Sequence, residues 1–364
     1  MKTKSPTANR LVTRTYLFFT TSPFPQNLKA KCSWCVLVLL TLALASTTTT
    51  LYAQEDLFAS INGPDSPRLG HIFEYNLTGA QVNSFGNFSN PRGLAFNSAG
   101  DLFVANNFFP NANTVQAAIK EITPGGNRIT LGHLPNNSFA AGLAINSSGD
   151  VFVMGGAPGG AGTSTIFEFT PGGTRSVFGT IPGLGLGLAF DSAGNLFAAD
   201  VSDGTIVKFT PGGTSSIFAG PSAFTSISGP AGLAFDSAGN LFASTESDGL
   251  EPDTIREFTP GGMESTFATG LTFPRGLAFD SSGNLYVAEL GVPAPGDILK
   301  FTPGGTESTF ASGIGTKNNR GPEWLAFGPA INNTPDSAST LVLLTIGLFG
   351  LVTWGRCVLR KQSA

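Results

Sequence analysis

Cysteine is nearly absent. The chain has three in 364 residues, Cys32, Cys35 and Cys357. All lie outside residues 54–333, so that span holds no disulfide and no thiolate metal site. Cys32-Ser33-Trp34-Cys35 has CxxC spacing, but it sits at the mouth of an apolar run. With no second pair and no βαβ context it reads as incidental. Histidine is scarcer still. His71 begins an outer strand and His133 ends one, and neither has the nucleophile and orienting acid that a triad needs. No catalytic residue is assigned. Charge is sparse at 12%, and basic residues are thinnest in the middle. Residues 54–333 hold 11 Lys and Arg against 23 Asp and Glu, a net of −12 where the whole chain is −4. An acidic span with no basic stripe excludes nucleic acid as the expected partner.

Long hydrophobic runs are few as well, and the two that exist frame the chain. "CVLVLLTLALAS" (35–46) follows Lys29 and Lys31 and leads into a Thr-rich stretch ending "LYAQ". A short apolar core behind positive charge, closed by small residues, reads as a secretory signal over 1–53. Cleavage after Ala53 is expected, with Ala45 the alternative. The long basic lead suggests a true start nearer Leu28. The second run, 341–359, has one charge, Arg356, and about 17–21 apolar residues just span a bilayer. The tail 360–364, with Arg360 and Lys361, then stays cytoplasmic.

Between the runs the composition favours strands. Phe is abundant at 31 and Gly at 47, a mixture that suits short strands joined by tight turns. The span also repeats. The segment opening "GLAFDSAGNLFAS" at Gly232 recurs at Gly93, Gly142, Gly187 and Gly276, and "PEWLAF" (322–327) is a sixth copy with Trp324 in the glycine's place. The steps of 44 to 49 residues suit a four-stranded propeller blade. Strand one is GLAF and strand two is NLFVA-like. Strand three is exemplified by Ile206-Val207-Lys208-Phe209, and strand four is STFAS-like. The "DSAGN" turn takes a positive φ at its glycine, and "TPGG" is expected to form a type II turn. The recurring Phe residues follow strand period and read as packing between blades. The N-terminal piece lacks strand one: "DLFAS" (56–60), "HIFEY" (71–75) and "VNSFG" (82–86) match strands two, three and four. "EWLAF" supplies what is missing. The expectation is therefore an all-β, six-bladed propeller over 54–330, closed by a blade built from both ends.

These repeats resemble the NHL repeat and, more broadly, the senescence-marker-protein/gluconolactonase propellers. That resemblance implies an axial ring of carboxylates and Asn just before the strand-one glycines, holding a divalent cation that supports lactone hydrolysis. Here those positions are Arg92, Ala141, Leu186, Ala231, Arg275 and Glu323. Only Glu323 is a possible ligand, and two arginines repel a cation, so no metal site is assigned. Glu323 falls between Arg275 and Arg92 in ring order. Two readings stay open: an ion cluster that satisfies itself, or arginines that also reach an anionic ligand. A second ring, at the end of strand two, holds Asn106, Asp200 and Glu289 beside Gly155, Thr245 and Ile61. Its acids could hold Ca²⁺ loosely or simply cap hairpins, and no cofactor is expected. One face carries the near-identical turns. The other carries variable loops, "NNFFPNANTVQAA" (106–118), "GGAPGGAGTST" (155–165) and "ESDGLEPDT" (246–254), where binding is expected.

The chain ends in a linker and motif over 331–340, then the apolar run. "TPDSAST" with its helix and basic tail resembles the PEP-CTERM class of bacterial sorting signals, closest to its VPDSG variant. Pro335, Asp336 and Ser337 match the variant, while Thr334 stands for Val and Ala338 for Gly. The resemblance implies recognition by an exosortase-type enzyme. An ordinary transmembrane anchor is the alternative. The expectation is an exported, membrane-anchored or surface-sorted propeller of the bacterial envelope. It would bind a polysaccharide or protein without chemistry, and a gluconolactonase-like hydrolase is the alternative.

Overall fold

The computed structural model describes residues 55–62, 70–111, 114–156, 162–224, 228–247, 253–291, 295–315 and 321–331. The signal segment, the sorting motif Thr334–Ala338 and the second apolar run lie outside the described residues. Among the described residues no helix is long and apolar enough to cross a membrane.

Twenty-four strands form six antiparallel sheets of four. Blade one is β4 (Pro91–Phe96), β5 (Leu102–Asn111), β6 (Thr114–Ile122) and β7 (Arg128–His133). Blade two is β8 (Phe139–Ile145), β9 (Val151–Gly156), β10 (Ser164–Phe169) and β11 (Arg175–Ile181). Blade three is β12 (Gly185–Phe190), β13 (Leu196–Asp200), β14 (Thr205–Phe209) and β15 (Ser215–Ala219). Blade four is β16 (Ser228–Phe235), β17 (Leu241–Ser247), β18 (Asp253–Phe258) and β19 (Glu264–Leu271). Blade five is β20 (Pro274–Phe279), β21 (Leu285–Glu289), β22 (Gly296–Phe301) and β23 (Glu307–Ile314). Blade six joins the two ends of the domain. β24 (Pro322–Pro329) pairs antiparallel with β1 (Glu55–Ile61), followed by β2 (Gly70–Tyr75) and β3 (Gln81–Phe88). "EWLAF" thus completes the sheet begun by "DLFAS", as the repeat count requires.

Turn chemistry sets the hairpins. In the strand-one-to-two turn of blade three, Gly194 takes φ +80°. Asp191 Oδ1 accepts the N–H groups of Ala193 and Asn195, and its Oδ2 accepts Asn195 Nδ2–H. The recurring Asp and Asn therefore build the turn, a role short polar side chains fill by bonding nearby backbone. The "TPGG" turns are not type II. Gly125 is not among the positive-φ glycines, while Gly126 is at +78° and its N–H bonds Thr123 O. Thr123 N–H in turn reaches Asn127 O. This is a type I turn followed by a left-handed glycine bulge, whose twist suits a three-residue hairpin. A type II turn would put the positive φ one residue earlier.

The Phe residues lock the blades together. The strand-two aromatic of one blade meets a Phe of its own strand four and a Phe from strand one of the next blade. Phe152 meets Phe178 at 4.9 Å and Phe190 at 5.0 Å between ring centres. Phe197, Phe242 and Tyr286 repeat the pattern. The rings are edge-on, an arrangement that stabilises by about 0.5–1.5 kcal/mol beyond area burial.

Residues 106–118, expected to be a variable loop, are largely strand. β5 and β6 pair through Asn106↔Ala118, Asn107↔Ala117 and Phe108↔Gln116, ending at Asn111↔Thr114. Phe and Thr-Val supply β-forming side chains on both arms of the hairpin. Parts of the other two variable loops lie outside the described residues.

Candidate site at the propeller axis

A backbone irregularity creates the axial ring. In each of the first five blades strand one breaks register with strand two just after its first residues: Pro91↔Asn106 is followed by Leu94↔Val104, Ala140↔Gly155 by Leu143↔Val153, and Pro274↔Glu289 by Leu277↔Val287. One extra residue on strand one makes a bulge, and a bulge re-aims the side chain it carries. In blade six the shift falls between Ser60 and Ile61 and contains Glu323. The glycine beside each bulge is needed for clearance. A Cβ at Gly93 would meet Ala141 O at 2.5 Å, at Gly142 it would meet Leu186 O at 2.4 Å, and at Gly232 Arg275 O at 1.8 Å. The five glycines let successive strand-one backbones press against each other.

The residues turned by the bulges divide into two kinds. Ala141, Leu186 and Ala231, with Trp324 beside the sixth bulge, belong to one buried cluster drawn from blades two, three, four and six. They plug that side with apolar bulk. Arg92, Arg275 and Glu323, from three consecutive blades, are brought together. Glu323 is fully buried, and its Oε2 lies 3.5 Å from Arg92 Nε and 3.7 Å from Arg275 Nη1. Its Oε1 accepts Asn62 Nδ2–H, with Asn62 itself buried. Arg92 also lies 4.4 Å over the Phe139 ring of blade two and bonds Asn90 Oδ1. Coulomb attraction from two guanidinium groups at these distances offsets the desolvation of one carboxylate. Sequence reasoning missed Asn62 and Phe139. Asn62 follows β1 at the other end of the domain's sequence, and no local pattern links it to Glu323.

The three polar residues at the ends of strand two are not brought together. Each is used inside its own blade to hold the segment leading into strand one. Asn106 Oδ1 accepts Ser89 and Asn90 N–H (3.0 and 3.3 Å). Asp200 Oδ2 accepts Gly183 N–H (2.9 Å), and its Oδ1 accepts Asp203 N–H. Glu289 Oε1 accepts Thr272 N–H (2.7 Å). Burial pushes the Asp200 and Glu289 carboxyls up, while these backbone donors pull them back. Neighbouring Asp297, Glu307 and Asp253 push Glu289 further up.

The divalent cation that the family resemblance implies does not fit these donors. The axial ring offers one carboxylate, and two arginines and an amide already occupy it. A hard cation needs six or more oxygens and no adjacent cations. Among the described residues, no three His, Cys, Asp or Glu side chains are placed to hold a metal ion. His71, the second residue of β2, lies opposite Ile61 of β1, and His133 ends β7.

No protein-family profile matches the chain, and no curated protein does. Solved structures share its fold. A protein of unknown function from Bacteroides caccae is 13% identical with a TM-score of 0.52, over 76% of this chain and 99% of that one. A catalytically inactive His-to-Ala virginiamycin B lyase from Staphylococcus aureus with quinupristin is 16% identical with a TM-score of 0.50, over 76% and 96%. A luciferin-regenerating enzyme is 12% identical with a TM-score of 0.50, over 71% and 95%. At these identities the likeness establishes the six-bladed fold, which hosts unrelated functions.

Proposed function

We propose that this protein is an exported, envelope-retained propeller that binds a glycan, matrix component or protein through its variable face, without catalysing a reaction. The observation that carries the reading is the axial ring. Glu323 is committed to Arg92, Arg275 and Asn62, and the rest of the ring is apolar. Among the described residues such an axis offers neither a metal donor set nor an acid–base pair. The inactive lyase is named for a replaced histidine, and the two histidines here stand on outer strands. Binding then falls to the face around the axis. The β5–β6 ribbon, with Phe108 half exposed, supports this, since exposed aromatic side chains on a rigid frame serve recognition. Retention in the envelope rests on the motif at Thr334–Ala338 and on the two apolar runs.

Two measurements test the reading on protein purified from cells. The first is retention on envelope polysaccharide, with Phe108→Ser beside the native chain. Loss of retention in the variant supports the proposal, and unchanged retention places binding elsewhere. The second is bound divalent metal and lactone hydrolysis, where stoichiometric metal with turnover overturns it in favour of a gluconolactonase-like hydrolase. The mass of the mature protein fixes both processing sites.

A further inference from the structure

The joint that closes blade six contains a buried carboxyl pair that the axial site does not use. Glu74 on β2 is 2% exposed and Asp56 on β1 is 4% exposed. Glu74 pairs across the sheet with Phe58 and with Asn83. Its Oε1 accepts the N–H of Ile331 (3.0 Å), and Asn83 Nδ2 donates to Ile331 O (3.2 Å). Both hydrogen-bonding groups of Ile331 are thus held by side chains of blade six, and Ile331 is itself buried. Glu74 Oε2 is buried and has no hydrogen-bond partner of its own among the described residues. Two further side chains bond this carboxyl: the Asn83 amide, a donor, and Asp56, another carboxyl. Two ionised carboxylates there would be acceptors only and would repel. One proton between them supplies the missing bond.

The other blades show why this pair is special. Glu121 and Glu168 hold the same register position, opposite Phe103 and Phe152, and are only half-buried. Lys208 and Lys300 hold it in blades three and five and pair with Asp191 and Asp280. In those blades a tight turn joins strands one and two. In blade six the two strands come from opposite ends of the domain, and the chain leaving β24 covers the position instead.

We infer that Glu74 and Asp56 share a proton and form a latch that fastens the root of the C-terminal segment at Ile331, and that losing this proton loosens it. Asn83 on β3 presents an amide N–H rather than an oxygen toward Ile331 and Glu74, so the shell suits a proton between carboxyls rather than a cation. Among the described residues Asp56 is the charged group facing Glu74. Glu55, its neighbour on β1, bonds Ser281 N–H in blade five, and Asp101 and Glu121 of blade one act on each other. Burial, opposed by the Ile331 and Asn83 donors and reinforced by Asp56, pushes Glu74 up to about 7. A raised value means the folded state binds the proton more tightly than the loosened one. The latch is therefore complete below the ordinary Glu value of 4.5 and weakens as pH rises through about 7. The motif at 334–338 begins three residues after Ile331. Any effect on processing rests on the address reading of that motif, whereas the latch does not.

Site-resolved hydrogen exchange on the full-length protein in detergent tests this, with rates corrected for intrinsic pH dependence. The opening equilibrium at the Ile331 amide should rise by roughly tens of fold between pH 5 and 8, levelling above 7, while amides of β13 and β14 stay level. Glu74→Gln keeps the acceptor but cannot ionise, and should flatten the profile. Asp56→Asn, with its amide donor, should flatten it too. A flat native profile overturns the latch, as does a pH dependence that survives Glu74→Gln. So does protection that appears only with added Ca²⁺ and vanishes with chelator, because the pair would then hold a cation. Failure of Glu74→Gln to fold leaves the native profile and Asp56→Asn to decide.

Discussion

Replacing Glu323 by glutamine should destabilise the propeller strongly, although the change is nearly isosteric. The carboxylate is fully buried, with Arg92 and Arg275 at 3.5 and 3.7 Å. The Gln carbonyl can still accept from Asn62, so that hydrogen bond survives. What disappears is the negative charge between two guanidinium groups whose side chains are 13% and 12% exposed. Removing one member of a buried ionic cluster typically costs 3–5 kcal/mol because charge is left uncompensated. The slight exposure of both arginines lets water screen part of it, so about 3 kcal/mol is expected. Urea unfolding of the purified propeller reads this directly. With a slope of about 3 kcal/mol/M, the midpoint should fall by about 1 M with the slope unchanged. The counterpart is the triple change Arg92→Met, Glu323→Leu, Arg275→Met. It removes all three charges, leaves the buried Asn62 amide without its acceptor, and should lie within about 2 kcal/mol of the native chain. A loss below about 1 kcal/mol for Glu323→Gln refutes the reasoning, as does a triple variant no more stable than the single one.

The glycines make a paired prediction. Gly232→Ala places a Cβ 1.8 Å from Arg275 O, a backbone atom that cannot swing aside, and should cost about 3 kcal/mol in urea unfolding. Gly213→Ala meets Phe178 O only at 3.4 Å and pays mainly for its φ of +80°, about 1 kcal/mol. Asn107 is fully buried and bonds both the N–H and the C=O of Ala140 at 2.8 Å, tying blade one to blade two. Asn107→Ala should cost about 2–4 kcal/mol by orphaning two buried backbone groups, measured the same way. For Glu74, about 7 in the fold against 4.5 unfolded, the native state holds the extra proton. Stability should therefore fall by up to about 3 kcal/mol between pH 4.5 and 7 and then level off. Glu74→Gln should remove that slope, as read from the difference between paired urea titrations.

The blade count, the closure by "EWLAF" and the ring order of Arg92, Arg275 and Glu323 were legible because they rest on a repeat. A strand-one copy at Pro322–Phe327 has to pair with a strand two, and "DLFAS" lacks a strand-one partner. What escaped depends on contacts between residues far apart in the chain. Asn62 reaches Glu323 across 261 positions, and Glu74 reaches Ile331 across 257. The "TPGG" turn was misread for a local reason. Pro at the first corner is compatible with types I and II alike, and only the hairpin twist selects type I with a bulge. The ribbon at 106–118 escaped because its Asn and Pro residues suggest a loop. The pairing of Asn107 with Ala140 of the next blade instead fixes it as strand.

Trp324 connects the fold to its use. Five junctions between strand-one backbones are tight enough that a Cβ would collide at each glycine. The sixth carries an indole instead, buried with the apolar side chains of blades two, three and four. The Trp324 backbone N–H is held by Ser60 Oγ on β1 (3.2 Å), while in blade four Ser244 Oγ accepts Gly232 N–H (2.8 Å). The sixth blade thus keeps the scaffold's serine contact while exchanging clearance for bulk. Filling the axis on one side leaves Glu323, the next residue back, to be neutralised on the other, and Arg92 and Arg275 from the flanking blades do so. The inner strands thus carry apolar side chains from blades two, three, four and six beside the Glu323 ion cluster. Under the proposed reading, binding then falls to the loops and to the β5–β6 ribbon.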